Sequence, residues 1–552
     1  MALFKVILIF STLSSVGRAI SLADVCTISH VQASLPSDDF YPGVTIDSSS
    51  VTAASVTNAS VSGQNFFPDA TFKYCDVNFA YSQDGRDDQV LVNYWLPAPS
   101  DFKNRYLSTG GGGYAINSGT MSLPGGIIYG AVTGRTDGGF GGFLTSFDSV
   151  YPLVNGTANY DALYMFGYQG IHELSSLGKE FTRHFYNTSS TKLYSYYQGC
   201  SEGGREGWSQ VQRFSDEWDG AITGAPAFRF SFQQIQHLYS NVVEKTLDYY
   251  PPSCEFEKIV NETIASCDPL DGRTDGVVSR TDLCKLQFNA SSIIGKPYSC
   301  AASSGSGSFG FPGSSPTPAQ NGSVTARGVA VANAIIDDSW ELDVSTFGTE
   351  FVTRFLQLLN TSTSTLDNLN DVTYDTLKEW MIQGWQMYED SLQTTWPDLT
   401  PFHNAGGKVL HFHGESDNSI PTASSVRYYE SVRQIMYPSL SFNDSTTALN
   451  DWYKLFLIPG AAHCAPNTLQ PNGPFPQTNL AVLIDWVENG VEPKTLNATV
   501  LQGQHEGENQ QICAWPLRPF WTNNGTVMEC QYDQASIDSW LYNLDAIKLT
   551  VY

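Results

Sequence analysis

Basic residues are scarce in this sequence. Lys and Arg number 29 against 55 Asp and Glu, a formal charge of −26. Charge of that sign opposes binding to nucleic acid phosphates or anionic bilayers, so neither is expected as a partner. No two Lys/Arg residues are adjacent anywhere, so dibasic processing sites are absent. Long apolar runs are missing after the first twenty residues, and a membrane helix needs ~20 such residues in a row. The glycine run Gly110–Gly113 lacks the third glycine of G-x-G-x-x-G, and no P-loop lysine follows it. A dinucleotide or phosphate loop is therefore disfavoured there.

What is present points to export. Lys5 precedes an apolar stretch from Val6 to Val16, and Gly17 and Ala19 are the small residues of a cleavage site. Residues 1–19 are expected to be a secretory signal removed after Ala19, too short for a spanning anchor. Ten cysteines, an even number, suit disulfides in an oxidising compartment. N-x-S/T sequons fall at Asn58, Asn155, Asn187, Asn261, Asn289, Asn321, Asn360, Asn443, Asn497 and Asn524. Behind a signal they predict a secreted glycoprotein with those segments on its surface.

Strand-like and helix-like stretches alternate. Residues 74–81 and 90–96 read as a hairpin across SQDGRDD, and 105–109 as a short strand entering the glycine run. Further strands are expected at 193–198, 219–223, 408–414 and 453–458, and helices at 207–214 and 479–489. This order predicts an α/β fold with a mostly parallel sheet. Residues 230–400 differ. They are rich in sequons and cysteines and include the flexible tract SSGSGSFGFPGSSPTP at 303–318. They are read as a lid domain inserted into an α/β-hydrolase catalytic domain made of 20–229 and 401–552.

Gly199-Cys200-Ser201-Glu202-Gly203 fits G-x-S-x-G between a strand and a helix. Such a turn presses the serine into strained backbone and exposes its oxygen above the sheet edge. A serine needs a base, and in this fold the acid and then the histidine follow it in the chain. His463, in PGAAHC, and Asp417, in HGESDNSIP, each sit just past a predicted strand, with Glu415 a rival carboxylate. Cys200 adjoins the serine and Cys464 the histidine. A bridge between them would clamp nucleophile and base together, although sequence alone leaves each free to pair elsewhere. The oxyanion donors are expected to be the N–H of Glu202 and that of Gly111 or Gly112.

The segment CDPLDGRTDGVVSRTDLC places Asp268, Asp271 and Asp275 within eight residues of one another. Carboxylates so close repel unless a hard cation lies between them, and Ca²⁺ held also by the carbonyls of Arg273 and Val277 is the expected structural ligand. The alternative is a solvated acidic turn.

GCSEGGREGW, HGESDNSIP, PGAAHC and CDPLDGRTDGVVS together resemble the fungal tannase and feruloyl esterase family, from about Asp24 to the end of the chain. QVQRFSDEWDGAITGAPAFRF, TLDYYPPSCE and SLQTTWPDLTPF bring the likeness nearest its tannase branch. The resemblance implies a Ser201–His463–Asp417 triad and calcium in the lid on Asp268, Asp271, Arg273, Asp275 and Val277. It also implies bridges Cys26–Cys75, Cys200–Cys464, Cys254–Cys300, Cys267–Cys284 and Cys513–Cys530. The implied substrate is a small phenolic ester, namely the galloyl ester or depside bond of a tannin. Feruloyl esters are the alternative, and a non-catalytic secreted glycoprotein a remote one. Some fungal tannases carry a longer, basic segment after the position of Ala302. This chain has only the short Ser/Gly/Pro tract, which argues against cleavage into two subunits. Whether it forms a homo-oligomer is open.

Overall fold

The computed structural model describes residues 20–540 apart from 38, 144–152, 155–156, 303–316, 336–344, 360–365 and 367. The expected signal, the sequons Asn155 and Asn360, and most of the Ser/Gly/Pro tract lie outside the described residues.

Nine strands form the main sheet: β1 Val44–Val61, β2 Ala70–Gln83, β3 Val90–Pro97, β4 Arg105–Thr109, β5 Ala131–Thr136, β6 Tyr194–Cys200, β7 Gly220–Gly224, β8 Lys408–Gly414 and β9 Tyr453–Ile458. Their spatial order is β1-β2-β3-β5-β4-β6-β7-β8-β9. From β5 to β9 every pairing is parallel. The pairs β1·β2, β2·β3 and β3·β5 are antiparallel, so the expected hairpin is one corner of a mixed sheet. Parallel strands are covered on both faces, and every residue of β7 and β9 is buried.

The principal helices are α1 Gly170–Phe185, α2 Glu202–Arg213, α3 Phe230–Gln236, α4 Ser253–Cys267, α5 Thr281–Gln287, α6 Ala423–Met436 and α7 Asn479–Asn489. One core gathers Trp208 of α2, Phe228, Tyr428 of α6 and Tyr453. Another gathers Leu410, Phe412 and Phe456 with Leu483 and Trp486 of α7. Fully burying one such side chain stabilises the fold by about 1.5–3 kcal/mol.

Among the described residues, none between Gly224 and Lys408 joins the main sheet. That segment carries α3, α4 and α5 and has a cluster of its own around Val243, Phe256, Ile259, Ile293, Val331 and Ile335. All ten cysteines are paired, as Cys26–Cys75, Cys200–Cys464, Cys254–Cys300, Cys267–Cys284 and Cys513–Cys530. The eight described sequon asparagines, Asn58, Asn187, Asn261, Asn289, Asn321, Asn443, Asn497 and Asn524, are all exposed. Among the described residues no helix is long and apolar enough to cross a membrane.

Candidate active site

Register brings the site together. Cys200 pairs with Gly224 and Gly414 with Ile458, so β6, β7, β8 and β9 end at one sheet edge. Ser201, the acid loop after β8 and the histidine loop after β9 all leave from that edge. Ser201 has φ 66° and ψ −124°, a strained backbone for a residue with a side chain. The two flanking glycines are steric necessities. A Cβ on Gly199 would stand 2.5 Å from the Gly203 carbonyl oxygen, and one on Gly203 would stand 2.9 Å from that of Gly111. Helix α2 begins at Glu202, five residues earlier than the sequence pattern predicts.

Nε2 of His463 lies 2.8 Å from Ser201 Oγ, and its Nδ1 lies 2.8 Å from Asp417 Oδ2. Asp417 Oδ1 accepts the N–H groups of Ser419 and Ile420 at 2.8 and 2.9 Å. Its side chain is 0% exposed. Burial alone would raise this carboxyl, but His463 and His413 beside it more than offset that and hold it well below the ordinary carboxylate range. It is therefore an ionised acceptor at neutral pH. Glu415, the rival acid, points elsewhere, 2.6 Å from Arg518 Nη2. The Cys200–Cys464 bridge, with Cα atoms 6.1 Å apart across 264 positions, ties the serine turn directly to the histidine turn.

The two glycine donors require a correction. The Gly111 N–H is taken by Glu206 Oε2 at 2.8 Å, and that of Gly112 by the Ala115 carbonyl at 3.1 Å. Neither is free to meet an oxyanion, because the run folds back as a turn and is anchored to α2. The N–H of Glu202 opens α2, where a helix start leaves donors without intrahelical acceptors. The Glu202 side chain turns away from the site to Arg205 Nε at 2.7 Å, and burial raises its carboxyl to about 7.

The acidic turn lies between α4 and α5, stapled by Cys267–Cys284. Asp268 accepts N–H bonds from Asp275, Gly276 and Val277 at 3.0, 2.9 and 3.3 Å. Burial and the neighbouring negative charges raise Asp271 and Asp275 to about 6. Arg273 sends its side chain to Asp275 at 2.8 Å and Glu508 at 2.7 Å, leaving only its carbonyl as a cation donor. Among the described residues no three acidic, imidazole or thiol side chains converge as a metal cage by themselves. The turn does bring buried, mutually repelling carboxylates together beside main-chain carbonyls, which is a donor set of the hard-cation kind.

The row Ser201–His463–Asp417 opens onto a cavity of about 1970 Å³. Part of its wall is polar and comes from Gln233, Gln234, His237 and Ser419. His237 Nε2 lies 3.1 Å from Ser419 Oγ, and the Tyr114 hydroxyl donates to Gln234 Oε1 at 3.0 Å. Burial pushes the His237 imidazole down to about 4, so it is neutral. Sequence reading missed these residues. For Gln233, Gln234 and His237 the one signal is a run of polar side chains, FQQIQH, within an otherwise apolar stretch.

A family model described as tannase and feruloyl esterase matches residues 75–346 and 337–536. A protein of Aspergillus oryzae called tannase is 50% identical, over 98% of both chains. A probable feruloyl esterase of Arthroderma benhamiae is 30% identical over 85% of this chain and 88% of its own. The solved structure of a tannin acyl hydrolase from Aspergillus niger superposes with TM-score 0.91 at 61% identity, covering 96% of this chain and 99% of that one. Feruloyl esterase B from A. oryzae gives TM-score 0.65 at 26% identity, over 91% and 100%. The protein is thus a carboxylic ester hydrolase of α/β architecture. It belongs to the tannase and feruloyl esterase family.

Proposed function

We propose that this chain is a secreted serine esterase that hydrolyses galloyl ester and depside bonds of tannins and releases gallic acid. The observation that carries the chemistry is the unbroken row from Ser201 Oγ through His463 to Asp417 Oδ2. Ser201 Oγ attacks the ester carbonyl while His463 Nε2 takes its proton. The tetrahedral oxyanion forms at the start of α2, where the Glu202 N–H and the helix dipole favour negative charge. Collapse expels the alcohol, which receives the proton from His463, and leaves a galloyl-serine. Water then attacks with His463 again as base, freeing the acid and Ser201. Asp417 holds the imidazole in one tautomer and stabilises its cation.

The acyl preference has two supports. The relatives most like this chain among those compared above are named for tannin hydrolysis. Gln233, Gln234, His237 and Ser419 also put polar side chains on the wall of the cavity that Ser201 lines, suited to three adjacent ring hydroxyls. Ferulate carries one ring hydroxyl, a methoxy group and a vinyl spacer, and would leave part of that wall unpaired. A feruloyl esterase on the same machinery is the second reading, favoured by the A. oryzae esterase superposition. On methyl gallate, kcat/KM should exceed that on methyl ferulate by about tenfold or more. A ratio inverted in favour of ferulate would transfer the assignment to the second reading.

The sheet order, with β3 antiparallel among its neighbours and a nucleophile turn after β6, supports an α/β-hydrolase domain. We read residues 230–400 as its lid, since α3 and α4 both supply cavity wall. Export through the 1–19 signal and glycosylation at the exposed sequons belong to the same reading. Calcium would be held by Asp268, Asp271 and Asp275 with the carbonyls of Arg273 and Val277, supplying charge neutralisation to the turn and no step of the hydrolysis. EDTA should then lower stability by about 2–4 kcal/mol, reversibly with CaCl₂, while turnover of the folded enzyme holds. A melting curve indifferent to both additions would remove the metal from this account.

A further inference from the structure

The acid loop faces a second imidazole. His413, on β8 and fully buried, has Nε2 3.1 Å from Asp417 Oδ2 and 2.9 Å from the Ile420 carbonyl. Asp417 Oδ2 is the same oxygen that meets His463. Both neighbours of His413 Nε2 are acceptors, so Nε2 carries the hydrogen, and in the neutral ring Nδ1 holds a lone pair. Nδ1 lies 2.6 Å from Ser425 Oγ on α6, whose hydroxyl therefore donates to it. With its one hydrogen used, Ser425 accepts from its other neighbour, His411 Nε2, at 2.8 Å. His411 Nδ1 then accepts from the Tyr453 hydroxyl at 2.8 Å. Four donors, from Tyr453, His411, Ser425 and His413, thus point one way along a buried row whose last N–H meets the Ile420 carbonyl and faces Asp417 Oδ2 beside it. With both rings neutral and Nε2 of His413 protonated, reversing a single link would set two hydrogens or two lone pairs face to face.

The far end of the row is neutral. Burial pushes the His411 imidazole well below its ordinary range and raises the Tyr453 hydroxyl well above its own. The other titratable groups near Asp417 are His463 and, across the acid loop, His237. Glu415 is turned away to Arg518 and Thr281.

We infer that His413 is a positioning residue for the hydrolysis: its N–H, oriented by the Tyr453–His411–Ser425 row, fixes Asp417 Oδ2 in line with His463 and withholds part of the carboxylate charge from that imidazole. The inference rests on the triad reading above. It explains why a strand that delivers the acid loop carries H-x-H, two imidazoles facing one side of the sheet. Hydrogen bonds in one direction also polarise each other, so the last donor is stronger than an isolated one.

The experiment compares His413→Leu, His413→Gln and Ser425→Ala with the parent. The readouts are p-nitrophenyl acetate turnover, the pH profile of kcat/KM, and the rate at which a fluorophosphonate labels Ser201, none of which depends on acyl preference. H413L should lose about ten- to a hundredfold in kcat with KM little changed. Its acid limb should move to higher pH, because a carboxylate one donor short binds the imidazolium more tightly. H413Q keeps an amide N–H near the Nε2 position and should recover most of that loss. S425A leaves the ring in place but frees its hydrogen to move to Nδ1, so it should show a smaller change of the same kind and decides the matter if H413L does not fold. An acid limb and kcat matching the parent in H413L, or in S425A where H413L is unfolded, would overturn the inference. H413Q as impaired as H413L would also overturn it, by showing that the ring acts through packing. Failure of the parent itself to be labelled at Ser201 would instead bring down the triad reading.

Discussion

Ser201→Ala is expected to give a folded protein whose turnover of methyl gallate falls by about 10⁴-fold or more. In the proposed mechanism the atom removed is the one that bonds to the acyl carbon, and its side-chain partner is His463 Nε2. Nothing else in the site can replace it at the same place: the cysteine beside it is locked in a disulfide, and Glu202 is turned to Arg205. The fold should scarcely notice, since alanine meets the same left-handed backbone as serine and the hydroxyl faces the cavity. Steady-state rates on methyl gallate and a thermal melt, run on the same preparation, test both halves. Turnover within tenfold of the parent would exclude the acyl-serine route. Loss of rate together with loss of the folded transition would call for Ser201→Gly before any conclusion.

The double substitution Cys200→Ser with Cys464→Ser should have the next largest effect. A crosslink across 264 positions restricts the unfolded chain strongly, and chain-entropy models put its contribution at roughly 5 kcal/mol. Its removal also loosens the two turns that hold Ser201 and His463, the proposed nucleophile and base, and both Ser201 and Cys464 have positive φ. Denaturant unfolding should therefore show a lower midpoint, and kcat should fall in the fraction that remains folded. Removing both sulfurs avoids a stray thiol that could pair elsewhere. Unfolding midpoints and kcat that coincide with the parent would mean that packing alone aligns serine and histidine.

The parts of the site written into short patterns were legible in the sequence. β8, β9 and helix α7 run over the residues that their apolar patterns indicate, because these strands are buried on both faces and the helix buries one. The glycines at 199 and 203 announced a tight turn for a steric reason that the backbone confirms. Other long elements were missed or seen only in part, β1 and the start of α2 among them. β1 is an edge strand whose sequence SSSVTAASVTNAS is polar and mostly exposed, so it carries no alternating apolar signal. Helix α2 hides its start under EGGRE, where glycine lowers helix propensity and tertiary packing overrides it. The direction of N–H groups was out of reach as well. A run of glycines says that backbone comes close, but only coordinates show that Glu206, one helical turn past the serine, has claimed Gly111. The two imidazoles on β8 were visible as H-x-H, yet their meaning depends on Ser425 and Tyr453, which come from other elements.

The path between β7 and β8 has a further consequence. These strands are parallel neighbours, Gly220 beside Lys408, so the chain leaves at the reactive edge and re-enters at the opposite one. An ordinary crossover makes that journey with a single helix. Here it has swollen to include α3, α4 and α5, and the free-energy penalty of such lengthening grows only with the logarithm of its length. Under the proposed function, the bond-breaking atoms are anchored on one framework, while much of the chamber that would select the acyl ring belongs to a detour. Exchange of that detour between related enzymes could redirect the choice of ester while leaving the proton-transfer apparatus where it stands.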